Sequence, residues 1–331
     1  MTDRPDSFAD TVLNGALSTP PLSEASLARV RTAVAREWRA TAPAPGIRLP
    51  AVPRRSLWIA LPAAALLAAV SVLPLVRGPS NQGASIGFLT RANGGSPEVS
   101  SGLFRHRTLA TGEALRVGDR FTTRGAVLFT LARGGTLRVA AGSTLGVTAS
   151  TQLSLERGLI YLDVPLGPAA LSNPLRITTR QGAIEHIGTE FEVMSDDQQV
   201  RIRVREGRIR FHSRSSTFVA DAGTELLATP GNEVVLRSID NYGADWAWTA
   251  ALAPDYAVEG QPLMGFLQWV GRELGRRVDF DGAHAREVAD RTILYGSVRG
   301  QTPLDALANV LAATSLTYQL SGDEILIASS R

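Results

Sequence analysis

The chain has 331 residues, more than one hydrophobic core usually organises, so two or three domains are expected. It contains no cysteine, which excludes disulfides, thiolate metal sites and cysteine nucleophiles. Net charge is only +3 and the arginines, which supply every basic residue, alternate with Asp and Glu, so a pI near 9.8 does not imply a basic stripe or direct nucleic-acid binding.

Residues 1–55 read as a short helical arm. Ser7 and Asp10 make a capping-box-like start for a helix bearing Phe8, Val12 and Leu13. Beyond Pro20 and Pro21, Ser23 caps a segment in which Leu27, Val30, Val34 and Trp38 recur at three- and four-residue spacing. Two short helices cannot enclose a core, so this stripe needs the bilayer surface, a partner or another copy. Pro43, Pro45, Pro50 and Pro53 then form a stiff linker.

Ser56 to Val76 is uncharged over 21 residues and bracketed by Arg54, Arg55 and Arg77. As a helix it reaches roughly 31 Å, enough to span the hydrocarbon layer. Trp58 suits an interfacial anchor, and Pro62 and Pro74 are tolerated in membrane helices. Arg36, Arg39, Arg48, Arg54 and Arg55 precede the span, whereas only Arg77 and Arg91 closely follow it, so the N-terminus is expected in the cytoplasm.

From residue 84 to 237 the apolar period becomes two, with strand-like runs at 136–140, 152–155, 159–164, 175–178, 190–194, 200–205 and 208–211. This predicts an all-β domain, solenoid- or roll-like, in which Glu206-Gly207 turns one strand into the next. Gly158, Gly182, Gly188 and Gly207 are expected at positive φ, and Thr189 is expected to cap a turn at the start of a strand.

Residues 238–254, with Trp246 and Trp248, read as a linker. Residues 255–331 repeat one plan: Pro262-Leu263 and Pro303-Leu304 each open a helix, with Phe266, Leu267 and Val270 inward in the first and Leu307, Val310 and Leu311 in the second. Strands are expected at 277–280, 293–298, 316–320 and 324–328, giving a small α/β domain of two βαβ-like units.

The run Gly134 to Val139, then Gly158 to Val164, Thr179 to Gly182, Ile187-Gly188-Thr189-Glu190-Phe191-Glu192-Val193 and Val204 to Gly207 resembles the FecR domain of membrane-bound regulators of extracytoplasmic-function sigma factors. The motif residues Gly158, Gly188, Thr189, Phe191 and Gly207 are scaffold rather than chemistry. The C-terminal run Gly296-x-Val298-x-Gly300-x-x-Pro303-Leu304-x-x-Leu307 is similar to the secretin and TonB short N-terminal fold.

The resemblance implies a single-pass inner-membrane regulator with its bulk in the periplasm. Its C-terminal domain would meet the signalling domain of an outer-membrane TonB-dependent receptor of iron or siderophore uptake. The face Leu27, Val30, Val34 and Trp38 would then bind a sigma factor. The arm is shorter than the family's usual anti-sigma region, which leaves a second reading: a membrane-anchored periplasmic binding or scaffold protein. His106, His186, His212 and His284 lack ligand spacing, and neither a G-x-S-x-G elbow nor a P-loop occurs. No enzyme activity, cofactor or metal is expected.

Overall fold

The computed structural model describes residues 83–102, 105–165, 174–231 and 233–330, all within one compact unit, Arg77–Arg331. The arm, with Leu27, Val30, Val34 and Trp38, and the span, with Ser56, Trp58, Pro62, Pro74 and Val76, lie outside the described residues. Among those described, no helix is long and apolar enough to cross a membrane.

Fifteen strands form one folded sheet. They are β1 (Ser85–Asn93), β2 (Glu98–Ser101), β3 (Arg105–Thr108), β4 (Ala114–Arg116), β5 (Asp119–Thr122), β6 (Ala126–Leu131), β7 (Thr136–Val139) and β8 (Thr144–Ala149), then β9 (Gln152–Val164), β10 (Arg176–Thr178), β11 (Ala183–Ser195), β12 (Val200–His212), β13 (Thr217–Asp221), β14 (Thr224–Ala228) and β15 (Val234–Ser238). The sheet path runs β15-β14-β12-β11-β10-β9-β7-β6-β1-β4, with direct β11–β9 pairing.

Strands β9, β11 and β12 form its spine, and each changes parity halfway along. Leu153 and Leu155 face the core of β9, then Ile160 and Leu162; Ile184 faces the core of β11, then Phe191 and Val193; Val200, Ile202 and Val204 face the core of β12, then Ile209 and Phe211. A strict period of two cannot skip from odd to even, so one extra residue must be absorbed in each strand.

Glycine absorbs it. Gly158, Gly188 and Gly207 have φ of 109°, 58° and 77°. The Glu206-Gly207 pair is therefore a bulge inside continuous β12 and not the expected turn, because the strand stays paired with β11 on both sides of it. Past the bulge β12 exchanges its second partner, pairing β14 over Val200–Val204 and β13 over Arg208–His212.

Gly182 departs from expectation, being absent from the positive-φ glycines. What it needs is room: a Cβ there would sit 2.4 Å from the His212 carbonyl oxygen and 2.7 Å from the Phe211 ring. Thr189 caps no turn either; it lies within β11 with its hydroxyl buried and without a hydrogen-bond partner. At Gly207 a Cβ would approach the Gly188 carbonyl oxygen to 2.1 Å. Gly207→Ala should cost at least about 2 kcal/mol through backbone strain, read as a lowered urea midpoint with an unchanged slope.

A 3-10 turn at Ala244–Trp246 and helix α1 (Ala247–Ala250) lead into the C-terminal domain. It comprises β16 (Gln261–Pro262), α2 (Leu263–Leu274), β17 (Arg277–Phe280), α3 (Ala283–Arg291), β18 (Ile293–Leu294), α4 (Pro303–Ala312), β19 (Leu316–Ser321) and β20 (Glu324–Ser329). Strand–helix–strand occurs twice, as β16-α2-β17 and β18-α4-β19. Their strands do not share one sheet within a unit: β16 pairs β18, while β17 and β19 flank β20.

Pro303 opens α4 behind the Thr302 cap, whose side chain accepts from the Asp305 N–H, whereas Pro262 is itself the residue before α2. Leu263, Phe266, Leu267, Val270, Leu307 and Leu311 are buried, and Val310 is half-buried. The expected strand 293–298 stops at Leu294, because Gly296 at φ 114° leaves the ladder and its N–H donates to Glu259. The N–H of Gly300 donates to Asp255, and Leu304 stays partly exposed.

Candidate functional site: a charged joint between two cores

The bulges decide which residues face outward. Beyond them, Tyr161 and Asp163 of β9, Glu190 and Glu192 of β11, and Arg203 and Arg205 of β12 alternate with core positions and lie on the opposite face, which is covered nonetheless. Directly opposed residues make a row across six strands: Arg138, Tyr161, Glu192, Arg203, Glu225 and Arg237.

Its charges alternate in sign, which favours cross-strand pairing. Arg203 meets Glu225 at 2.7 Å, Arg237 meets the other Glu225 oxygen at 2.7 Å, and Arg201 meets Glu192 at 3.1 Å. The segment 238–254 seals this face and does not act as a free linker. The Trp248 indole N–H donates to Glu192 at 2.7 Å, and Asp245 lies 3.4 Å from Arg203. Trp246 is buried edge-on to Tyr161 and under the Arg205 guanidinium, 4.9 Å from the ring centroid.

The last turn of α2 inserts two adjacent charges into the same face. Glu273 pairs with Arg138 at 2.8 Å, and both are almost fully buried, at 4% and 1% exposed. Arg138 also donates to the Thr249 carbonyl at 2.6 Å and lies 5.0 Å over the Tyr161 ring. Arg205 donates to the carbonyls of Asn241 and Glu273. The second of these bonds satisfies a carbonyl at the end of α2, which terminates at Gly275 in the left-handed conformation.

Arg272 reaches three carboxylates of the β domain: Asp163 at 2.7 Å, Glu190 at 2.8 Å and Glu206 at 3.5 Å. Glu190 in turn accepts the Tyr161 hydroxyl at 2.6 Å. Burial, reinforced by the neighbouring Asp163 charge, pushes the Glu190 carboxyl up to about 7 despite Arg272. Burial also raises Glu273, against the pull of Arg138. Tyr161 is raised well above the ordinary phenol range by burial and then by Glu190, so its hydroxyl stays a donor.

Beside this cluster opens a polar cleft of about 660 Å³, whose lining includes Glu190, Arg205, Glu206, Asn241 and Arg272. Among the described residues, no group of three or more His, Asp or Glu side chains could hold a metal ion. What the arrangement does chemically is join the two cores through paired charges and hold the Glu190 carboxyl where burial disfavours its ionised form.

The motif glycines, Thr189 and Phe191 frame this site without lining it; of the C-terminal motif residues, Leu263 and Leu307 belong to a separate core, whereas Leu304 lines a recess beside Trp246 and Glu273. The joint residues were not singled out as a site from sequence; the signal for them was the alternating Arg201, Arg203 and Arg205 on one strand and Glu190 and Glu192 on its neighbour, which the register opposes at Glu192–Arg203.

Two crystal structures of a protein from Parabacteroides distasonis ATCC 8503, described as a "putative anti-sigma factor", are similar to the chain at 17% identity. The 2.50 Å structure covers 63% of this chain and 97% of its own, with a TM-score of 0.34. The 1.65 Å structure covers 64% and 99%, with a TM-score of 0.35. No curated protein matches. The family model described as FecR protein matches residues 119–210, from β5 into β12, so the strands that present Arg138, Tyr161, Glu190 and Arg203 to the joint are those of a FecR domain.

Proposed function

We propose that the chain is a single-pass inner-membrane regulator that relays an extracellular signal to a cytoplasmic sigma factor, with residues 84–331 in the periplasm and no enzymatic activity. The FecR domain at residues 119–210 carries this reading. The uncharged run Ser56 to Val76 and the arginine asymmetry around it support the orientation. On the same reading the C-terminal α/β domain receives the periplasmic signalling domain of a TonB-dependent receptor serving iron or siderophore uptake, and β19, an edge strand, offers a pairing surface.

Within the cytoplasm the apolar stripe Leu27, Val30, Val34 and Trp38 is the sigma-binding face. Residues 1–55 used as bait should retain one extracytoplasmic-function sigma factor, and Val34→Glu should abolish retention. If no sigma factor is retained, and deleting the arm leaves transcription unchanged, the anchored periplasmic binding or scaffold role takes its place.

A further inference from the structure

We propose that the joint is a releasable lock: the C-terminal α/β domain docks on the FecR domain through the Arg272-Glu273 pair at the end of α2, and undocks as a rigid body. The lock is independent of whether a sigma factor is the cytoplasmic partner.

The first observation is where the apolar contacts are. One core spans Ile86 to Ala228 and the other Val258 to Ile327, and the two share no residue. Interfaces between domains that are polar rather than apolar favour relative motion. Between the cores the buried contacts are Trp246, Leu252 and Ala253 of the connecting segment, together with Tyr161 and the Arg138–Glu273 pair.

The second is what such a pair does. A buried ion pair adds little net stability compared with an apolar pair of similar volume, yet leaving one partner alone is costly. Such contacts select one docked geometry without making it irreversible. Each domain keeps its own core when they separate, so undocking costs polar contacts and the packing of Trp246, Leu252 and Ala253, not unfolding.

The third is the position of Arg272. Its side chain is 41% exposed and reaches Asp163 and the largely exposed Glu206 as well as Glu190, so part of the lock lies at the solvent boundary, where salt screens it. The charged and titratable groups facing Glu190 are Asp163, Glu206, Arg205 and Tyr161 from the β domain and Arg272 from α2. Docking buries Glu273 and disfavours its charge, whereas Glu190 is shifted by burial and by Asp163 of its own domain and is pulled back by Arg272 of α2. Salt acts on the Arg272 contacts at the solvent boundary and is therefore the lever on docking.

The absence of cysteine makes the test direct. Ser215→Cys on the β domain and Asp290→Cys on α3, both exposed, take nitroxide labels in the otherwise unlabelled full chain in detergent. Pulsed dipolar spectroscopy should give a single narrow distance at low salt. A second, longer distance should grow at 1 M NaCl. Arg272→Gln should raise the fraction at the longer distance about fivefold at any one condition.

The double variant Arg138→Met/Glu273→Leu, which replaces the buried ions by apolar groups, should hold the narrow distance throughout. A single distance in the wild type and in Arg272→Gln under every condition overturns the lock. So does a longer distance in the double variant that grows as in the wild type. The wild-type titration needs no core substitution, so a variant that fails to fold does not remove the test.

Discussion

Arg138→Met should lower the stability of the folded region by about 3–5 kcal/mol, the cost of leaving a buried charge without its partner. Methionine keeps most of the apolar stem but loses the ion pair to Glu273, the bond to the Thr249 carbonyl and the cation over Tyr161. Glu273 would then sit in a site where burial already disfavours its charge. For a region of this size the fall in Tm is about 6–20 °C, measured by calorimetry at pH 7.

Glu273→Leu alone should cost a similar amount, since it strands Arg138. Combined, the two should recover most of the loss, because neither buried charge remains. A double-mutant cycle by urea unfolding gives the coupling. If the single costs add with no recovery, the pair is packing rather than electrostatics.

The parity of the spine strands explains how far the fold could be read from the residues. Apolar alternation located both halves of β9 and β12 but only the second half of β11, and each phase break resembled an end, so 152–155 and 159–164 read as two strands where one exists. A Glu-Gly pair between alternating runs fits both a hairpin and a bulge. Partner choice, which is non-local, decides between them.

Helix α3 escaped notice because its inward side is only Ala285 and Ala289, and small residues leave a faint periodic signal among charged neighbours. The joint was the least legible part. Arg138 and Glu273 are 135 positions apart, and no period links them. Trp246 and Trp248 marked the segment 238–254 as unusual, yet two tryptophans in a stretch without regular pattern indicate burial somewhere, not against which face.

Glu190 makes the joint pH-sensitive, and the sign follows from its displacement. Its carboxyl titrates near 7 in the folded protein against 4.5 when unfolded, so between these values the folded state binds more protons. Stability from this group is therefore fully present below pH 4.5 and is lost as pH rises through 7, by about 3 kcal/mol at most. Glu190→Gln keeps an acceptor for the Tyr161 hydroxyl and cannot ionise. Urea unfolding at pH 5, 6, 7 and 8 should show the variant gaining on the wild type with each step, with the difference levelling off above pH 7. Groups displaced the other way, such as Glu156, which Arg120 holds below the ordinary range, contribute equally to both proteins and cancel in the difference. Parallel stability curves for the two would mean that Glu190 ionises as it does in water, and that Arg272 outweighs burial at the joint.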